Sequence, residues 1–230
     1  MSMSAGRAVL WDMDGTLIDS EEFHWIAWRD TMANEGVAIT RKQFLSSFGQ
    51  RNDSILPRWL GASTPERIER IANAKEEQYR QLIRTSGISP LPGVVHWARQ
   101  LHAAGWLQAI LSAAPGANIK AILQALSATH VFQGMVSAED VRHGKPEPEV
   151  YLLAAARIGV PPERCVVVED AVAGIEGARR AGMKSVGVNR NGAHLPADVV
   201  VQSLELLDPN TFEMLLECGP GNANRIKIFN

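Results

Sequence analysis

Residues 9–18 read Val-Leu-Trp-Asp-Met-Asp-Gly-Thr-Leu-Ile, an apolar run that leads into two aspartates two positions apart. The run predicts a buried strand, and the Gly15-Thr16 pair predicts a tight turn at its tip. Because side chains alternate along a strand, Asp12 and Asp14 should point the same way. Two like charges held that close favour a bound cation or a shared proton, and Mg²⁺ would satisfy both aspartates.

Two structural explanations compete with a metal site at this turn. An EF-hand calcium loop also spaces carboxylates, but that loop needs glycine at its sixth position, whereas Gly15 falls at the fourth. A solvated surface turn would need no ligand. The motifs in the remainder of the chain therefore have to distinguish a solvated turn from a metal site.

Composition limits the class of protein. The 230 residues are 46% hydrophobic, enough to bury one large core or a core with a smaller insert. The net charge of -2 comes without a polybasic run, so we expect neither nucleic acid nor a membrane surface as partner. Two cysteines, Cys165 and Cys218, are too few for a disulfide scaffold, which favours the cytoplasm. We expect no membrane span and no targeting signal, and a monomer by default.

The pattern along the chain divides it into two parts. Helical spacing fills residues 19–89, and strands alternate with helices after the Pro-Leu-Pro-Gly run at residues 90–93. Alternating units with continuous apolar strands predict an α/β fold, a doubly wound parallel sheet. We therefore predict a core domain of residues 1–18 and 90–230 and a smaller helical domain of residues 19–89, inserted after the first strand. Residues 217–230, rich in Gly and Asn, should form a loose tail.

Polar residues at the strand ends are the site candidates. In sheets of this kind ligands bind beyond the carboxyl ends of the strands, where residues distant in sequence meet. The predicted elements are strands over 107–111, 135–137, 165–168, 185–188 and 199–201, and helices over 94–103, 119–126, 149–157 and 171–181.

Two of these strand ends carry groups that suit a phosphate. Ser112 and Ala113 lie where a strand yields to a helix, so a hydroxyl and free backbone N–H groups form a cradle for phosphate oxygens. Lys145 precedes Pro146, which favours an extended conformation before the next helix and a fixed ammonium there. A helix cap and an exposed lysine are the structural alternatives.

A third strand end carries the adjacent acids Glu169 and Asp170, directly after the apolar residues 165–168. Two carboxylates at a buried strand end are costly without compensation, so a metal ion is expected there. The alternative is a solvated acid pair at a helix start. Gly174 and other small residues follow on one helix face, which lets that helix approach the sheet closely.

Four motifs in this order resemble those of the haloacid dehalogenase superfamily. They are Asp-x-Asp-Gly-Thr at residues 12–16, Ser112, Gly-Lys-Pro-Glu-Pro at residues 144–148, and Glu-Asp-x-x-x-Gly at residues 169–174. The resemblance implies an α/β hydrolase core that performs Mg²⁺-dependent phosphoryl transfer through a covalent aspartyl-phosphate.

The resemblance also implies a role for each motif. Asp12 would be the nucleophile, and Asp14 would protonate the leaving oxygen and then activate water. The ion would be held by Asp12, the backbone carbonyl of Asp14 and Asp170, with Glu169 direct or through water. The groups that would hold the transferring phosphate oxygens are those of Ser112, Ala113 and Lys145.

The position of the helical insert resembles the cap domain of the β-phosphoglucomutase-like phosphatase subgroup. His24 would lie near the acid/base, unless it is a purely structural histidine. Lys75 falls on the apolar stripe of a cap helix, where it would contact substrate or snorkel to solvent. Gly49 allows its loop to approach the core, which adds Arg51 and Asn52 as candidates for substrate contact.

This loop departs from the mutase pattern. The mutase carries a lysine just before the glycine and an arginine three residues after it, but here those places hold Phe48 and Asn52. A mutase must bind a second phosphate in its cap, so the loss of these cations favours a phosphatase. The expected partner is a small phosphorylated metabolite, a sugar or polyol phosphate, and a phosphosugar mutase is the alternative.

Other chemistries fit the sequence less well. Haloalkanoic acid dehalogenases and phosphonatases lack the second aspartate of the first motif, so Asp14 argues against both. A phospho-receiver signalling domain also clusters carboxylates and a lysine, but it predicts a shorter chain with its aspartate in a middle strand. The junctions near Asp19 and residues 90–93 should act as two hinges for the cap.

Overall fold

The computed structural model describes residues 6–190, 192 and 194–217, and a six-stranded parallel sheet forms its core. The strands are β1 (Ala8–Asp12), β2 (Leu107–Leu111), β3 (Gly134–Val136), β4 (Cys165–Glu169), β5 (Lys184–Val188) and β6 (Val199–Val201). Their order is β3-β2-β1-β4-β5-β6. From β1 the chain proceeds to β2 and β3 on one side and then crosses to β4, so the topological switch point lies between β1 and β4. Ligands of doubly wound folds bind at this point.

A smaller helical domain follows β1 directly. Its helices are α1 (Glu21–Asn34), α2 (Arg41–Leu45), α3 (Asn52–Leu60) and α4 (Pro65–Ser86). They enclose a hydrophobic cluster of their own, in which Trp28, Phe44 and Ile71 are buried. The predicted insertion of a helical cap domain after the first strand is confirmed.

The two chain segments that connect this domain to the core run side by side. Ile18 pairs with Pro90 in an antiparallel bridge, and the N–H of Leu91 donates to the carbonyl of Leu17 at 2.9 Å. The helical domain is therefore attached through one paired linker. The exact bounds of 19–89 stay a prediction.

Helices cover the sheet on both faces. In the described core they are α5 (Val94–Ala103), α6 (Gly116–Ala125), α7 (Glu149–Arg157), α8 (Val172–Arg180) and α9 (Thr211–Glu217). Neighbouring residues of β1 enter different clusters, since Trp11 packs with residues of α5, α6 and α9 while Leu10 packs with residues of α7 and α8. The predicted doubly wound sheet is confirmed.

Some predicted boundaries shift by one to three residues. Helix α6 begins at Gly116 rather than 119, because Gly116 and Asn118 are weak helix formers and the apolar periodicity starts only at Ile119. Strand β3 covers 134–136 rather than 135–137, and α8 covers 172–180 rather than 171–181. The predicted tail lies outside the described residues, except for residue 217 at the end of α9.

None of the described helices combines the length and apolarity that a membrane crossing requires. Cys165 is a free, buried thiol, and Cys218 lies outside the described residues. The cytoplasmic location and the monomeric state stay predictions.

Candidate active site

The carboxyl ends of β1 and β4 bring three carboxylates together. Because these strands are neighbours, Asp12 at the end of β1 lies beside Glu169 at the end of β4 and beside Asp170 after it. One oxygen of each residue lies within 4.8 Å of the others. Oxygen donors at this spacing suit Mg²⁺, so the residues present fit the ion that the sequence predicts.

Two glycines make room for these carboxylates. An added Cβ at Gly15 would lie 2.1 Å from Asp170 Oδ2, and the φ of +87° at Gly15 is itself unfavourable for other residues. An added Cβ at Gly174 would lie 1.9 Å from Glu169 Oε1. The absence of a side chain at Gly15 and Gly174 therefore leaves the space that Asp170 and Glu169 occupy.

Hydrogen bonds fix Glu169 and Lys145. Glu169 Oε2 accepts from the N–H groups of Asp170 and Ala171, both at 2.9 Å, at the start of α8. The ammonium of Lys145 donates to Asp12 Oδ1 and Glu169 Oε1. The side chain of Lys145 is only 10% exposed, so the alternative of an exposed loop lysine is wrong.

The charges in this group do not balance. Burial, together with Glu169 and Asp170, raises the pKa of Asp12 well above its usual value despite the attraction of Lys145. Burial and Glu169 raise the pKa of Asp170 to about 7. Burial alone would lower the pKa of Lys145, but Asp12 and Glu169 raise it well above its usual value. Three carboxylates face one ammonium, an excess of negative charge that a divalent cation would offset.

Asp14 lies beyond the end of β1 and turns toward the helical domain. Its Oδ1 accepts from Ser20 Oγ at 2.6 Å and lies 3.1 Å from His24 Nε2. Ser112 Oγ lies 3.5 Å from its Oδ2. The expectation that both aspartate side chains face one ion therefore differs from the structure, because hydrogen bonds draw the Asp14 carboxylate to the cap side. The role of its backbone carbonyl stays a prediction.

A chain of polar contacts continues from Asp14 into the helical domain. Lys75 Nζ lies 2.8 Å from both His24 Nδ1 and Glu76 Oε1, and the Lys75 side chain is 2% exposed, which excludes snorkelling. Because an ammonium only donates, Nδ1 accepts and Nε2 carries the proton donated to Asp14. Burial alone would raise the pKa of Asp14, but His24, Ser20 and Lys75 hold it below its usual value.

A cavity of about 40 Å³ lies between the helical domain and the core. The predicted site residues in its walls are Asp14, His24, Gly49, Asn52, Lys75 and Ala113. Ligand clefts usually measure roughly 300–1,000 Å³. The cavity is therefore small for a ligand site in this structure.

Among the residues predicted in the cap, Arg51 is the one that does not line this cavity. Its guanidinium donates to the carbonyls of Ala138 at 2.6 Å and Val141 at 3.1 Å, and it pairs with Asp53 at 2.9 Å. The loop thus approaches the core as expected, but Arg51 contacts the segment before Lys145 instead of the space for substrate.

Sequence reasoning missed three residues that connect α4 of the cap to the core. Glu76 Oε1 accepts from Asn52 Nδ2 at 2.7 Å, and Oε2 accepts from Asn118 Nδ2 of α6 at 2.6 Å. Arg80 Nη1 donates to Asn118 Oδ1 at 2.8 Å. The available signal was helical spacing, since Glu76 lies three residues from the buried Tyr79 on the inward stripe of α4.

Known proteins resemble this chain over most of its length. A family model of haloacid dehalogenase-like hydrolases matches residues 7–182. Fructose-1-phosphate phosphatase YqaB of Escherichia coli K12 is 33% identical over 187 residues, covering 78% of this chain and 95% of that protein. Beta-phosphoglucomutase of Bacillus subtilis 168 is 32% identical over 228 residues, covering 92% and 94%. The crystal structure of beta-phosphoglucomutase from Clostridium difficile superposes with a TM-score of 0.82 at 28% identity, covering 92% and 97%.

The region matched by the family model contains all four motifs, from Asp12 to Gly174. It includes the three carboxylates, Lys145 and the whole helical insert. This chain therefore belongs to the haloacid dehalogenase-like hydrolase family.

Proposed function

We propose that this enzyme is a Mg²⁺-dependent phosphatase that hydrolyses a small sugar or polyol phosphate through a covalent aspartyl-phosphate. The observation that carries the proposal is the convergence of Asp12, Glu169, Asp170 and Lys145, with Asp14 of the same motif as Asp12 lining the cavity. The fructose-1-phosphate phosphatase relative supports phosphate esters as the substrate class.

The proposed reaction has two steps. A carboxylate oxygen of Asp12 attacks phosphorus and the bond to the leaving oxygen breaks, while Asp14 donates a proton to that oxygen. Asp14 then takes a proton from water, which attacks phosphorus of the aspartyl-phosphate, releases phosphate and restores Asp12. Mg²⁺, held by Asp12, Asp170, the carbonyl of Asp14 and Glu169, would neutralise charge on the phosphoryl oxygens.

The contacts of Asp14 suit this dual role. With its pKa held low, Asp14 is a carboxylate before substrate binds, which is the form that activates water. An arriving phosphate dianion raises the pKa of a neighbouring carboxyl, so substrate itself favours the acid form needed in the first step. The hydrogen bond from His24 keeps the Asp14 carboxyl group oriented in both steps.

Groups for the phosphate oxygens lie on the core side. Ser112 Oγ accepts from the N–H of Ala114 at 3.0 Å and lies within 3.5 Å of Asp14, and Ala113 lines the cavity. The ammonium of Lys145 donates to Asp12 Oδ1. A phosphoryl group between them would meet a hydroxyl, backbone N–H groups and an ammonium.

The charge of the cavity favours hydrolysis over mutase chemistry. Among its described lining residues the one lysine or arginine is Lys75, which already contacts Glu76 and His24. Arg51 is engaged by core carbonyls. A bisphosphate intermediate would place a second dianion here without a free cation, whereas a neutral sugar or polyol meets no such penalty.

The test is turnover of p-nitrophenyl phosphate and of a panel of sugar and polyol phosphates with Mg²⁺, by wild type and by Asp12→Asn. We expect the variant to lose at least about 10³-fold in kcat. Substantial turnover by purified Asp12→Asn would contradict the nucleophile assignment. Isomerisation of glucose 1-phosphate in the presence of the bisphosphate would identify a mutase instead, and a stable phosphoprotein without turnover would identify a receiver.

A further inference from the structure

We propose that Glu76 determines substrate specificity: its carboxylate accepts a hydrogen bond from a hydroxyl of the leaving group and rejects leaving groups that carry an acid. This inference rests on the proposed phosphatase function. It goes further, because it names the chemical feature of the ester that the cap selects.

Glu76 is buried, at 4% exposure, and lines the cavity that adjoins Asp14. A carboxylate offers about four acceptor positions. Oε1 accepts from Lys75 and Asn52, whereas Oε2 accepts from Asn118. Among the described residues no second donor to Oε2 is seen, so this oxygen can accept a hydrogen bond from a ligand hydroxyl in the cavity that Glu76 lines.

Donors from three helices hold this carboxylate in place. Lys75 lies on α4, Asn52 on α3 and Asn118 on α6 of the core. The amide of Asn118 has one favourable orientation, because Arg80 must meet its oxygen and Glu76 its NH₂ group. Glu76 is therefore pre-organised and cannot turn away from an unfavourable ligand without breaking several hydrogen bonds.

The charge balance of the cavity explains the rejection of acids. Its described walls carry two carboxylates, Asp14 and Glu76, against the single ammonium of Lys75. Burial alone would raise the pKa of Glu76, but Lys75 and the donor Asn52 hold it below its usual value, so the group stays an ionised acceptor. With phosphate on the core side, an acidic substituent on the leaving group would face this excess negative charge beside the buried carboxylate of Glu76.

The test compares esters that differ in one group. Sorbitol 6-phosphate and 6-phosphogluconate differ by an alcohol in place of a carboxylate, and so do glycerol 3-phosphate and 3-phosphoglycerate. The readout is the ratio of kcat/KM for alcohol and acid, which cancels any general loss of activity. We expect Glu76→Gln to lower this ratio at least about tenfold, because the charge is removed at constant shape. The matched control is Glu69→Gln on the exposed side of α4, which should leave the ratio unchanged.

A second variant separates the two parts of the proposal. Glu76→Asp keeps the negative charge, so this variant should still reject acids. Its side chain is one methylene shorter, which moves the carboxylate oxygens away from the substrate hydroxyl, so KM for sorbitol 6-phosphate should rise. It also serves if Glu76→Gln does not fold. An unchanged ratio in Glu76→Gln, with wild type active on p-nitrophenyl phosphate, would overturn this inference and leave the phosphatase intact. Wild type inactive on every ester would overturn both.

Discussion

Gly174 shows how one missing side chain serves the chemistry. Glu169 is pinned by Lys145 and by two backbone N–H groups, so it cannot yield easily to an added Cβ 1.9 Å from its oxygen. We expect Gly174→Ala to displace this carboxylate and to lower activity about 10–100-fold, as loss of supporting groups around metals does. Turnover against Mg²⁺ concentration should show a raised half-saturation point. Gly6→Ala is the control, since its Cβ would lie an ordinary 3.4 Å from Val160. An unchanged Mg²⁺ requirement would contradict the steric argument.

Lys145 should contribute to the stability of the fold as well as to the reaction, because its buried ammonium pairs with Asp12 and Glu169. Removing one partner of a buried ion pair costs about 3–5 kcal/mol, because the remaining charge stays buried. We therefore expect Lys145→Met to lower the free energy of unfolding by about that much in EDTA, and by clearly less in Mg²⁺, since the ion neutralises the same carboxylates. Urea unfolding under both conditions measures this. Lys120→Met on the exposed face of α6 is the control, and an equal loss with and without Mg²⁺ would argue against a metal site.

At the scale of elements, α4 and α6 form one of the contacts that hold the cap against the core. Asn118 lies at 0% exposure between Glu76 and Arg80. Asn118→Ala leaves the buried Glu76 without one donor, so we expect a loss of about 1–3 kcal/mol in the free energy of unfolding. A double-mutant cycle with Arg80→Ala should give a coupling of roughly 0.5–3 kcal/mol. Arg84 pairs with Glu77 instead, so in a cycle of Asn118→Ala with Arg84→Ala the two losses of unfolding free energy should be additive. Additive losses in both cycles would mean that Asn118 does not take part in the contact between α4 and α6.

The sequence predicted the elements better than their mutual contacts. Apolar runs and glycine or proline punctuation sufficed to predict the strands of the sheet, and burial on both faces makes the central strands β1 and β4 continuous apolar segments. The strand ends then placed Asp12, Ser112, Lys145 and Asp170 at one edge. Helical spacing also placed Lys75 on the inward side of α4.

Contacts between the cap and the core were beyond this reasoning. Glu76 and Asn118 are separated by 42 residues, and their meeting depends on how one domain rests on the other, which no local pattern records. The direction of Asp14 has the same origin, because Ser20 and His24 draw it away from the alternation of β1. For Arg51 the sequence predicts a loop near the core but not the atoms that the guanidinium meets, since the loop conformation decides where it ends.

At the scale of the whole molecule, the small size of the cavity requires movement. A space of about 40 Å³ cannot admit a sugar phosphate, so we expect the free protein to sample an open form in solution. Small-angle scattering should show compaction when Mg²⁺ and beryllofluoride are added, because the latter mimics a phosphoryl group on Asp12. Asp12→Asn lacks the carboxylate that beryllofluoride binds and should not compact. Identical scattering of wild type with and without these ligands would contradict closure.

The bridge between Ile18 and Pro90 has an engineering consequence. Since the polypeptide departs and returns at adjacent points, a few flexible residues should suffice to join those points after excision of everything between them. The trimmed enzyme would retain its sheet and its acidic edge, yet it would lose its selectivity toward leaving groups. By the same logic, helices borrowed from another member of the family could be grafted at this junction, which would exchange substrate preference while the reaction stayed the same.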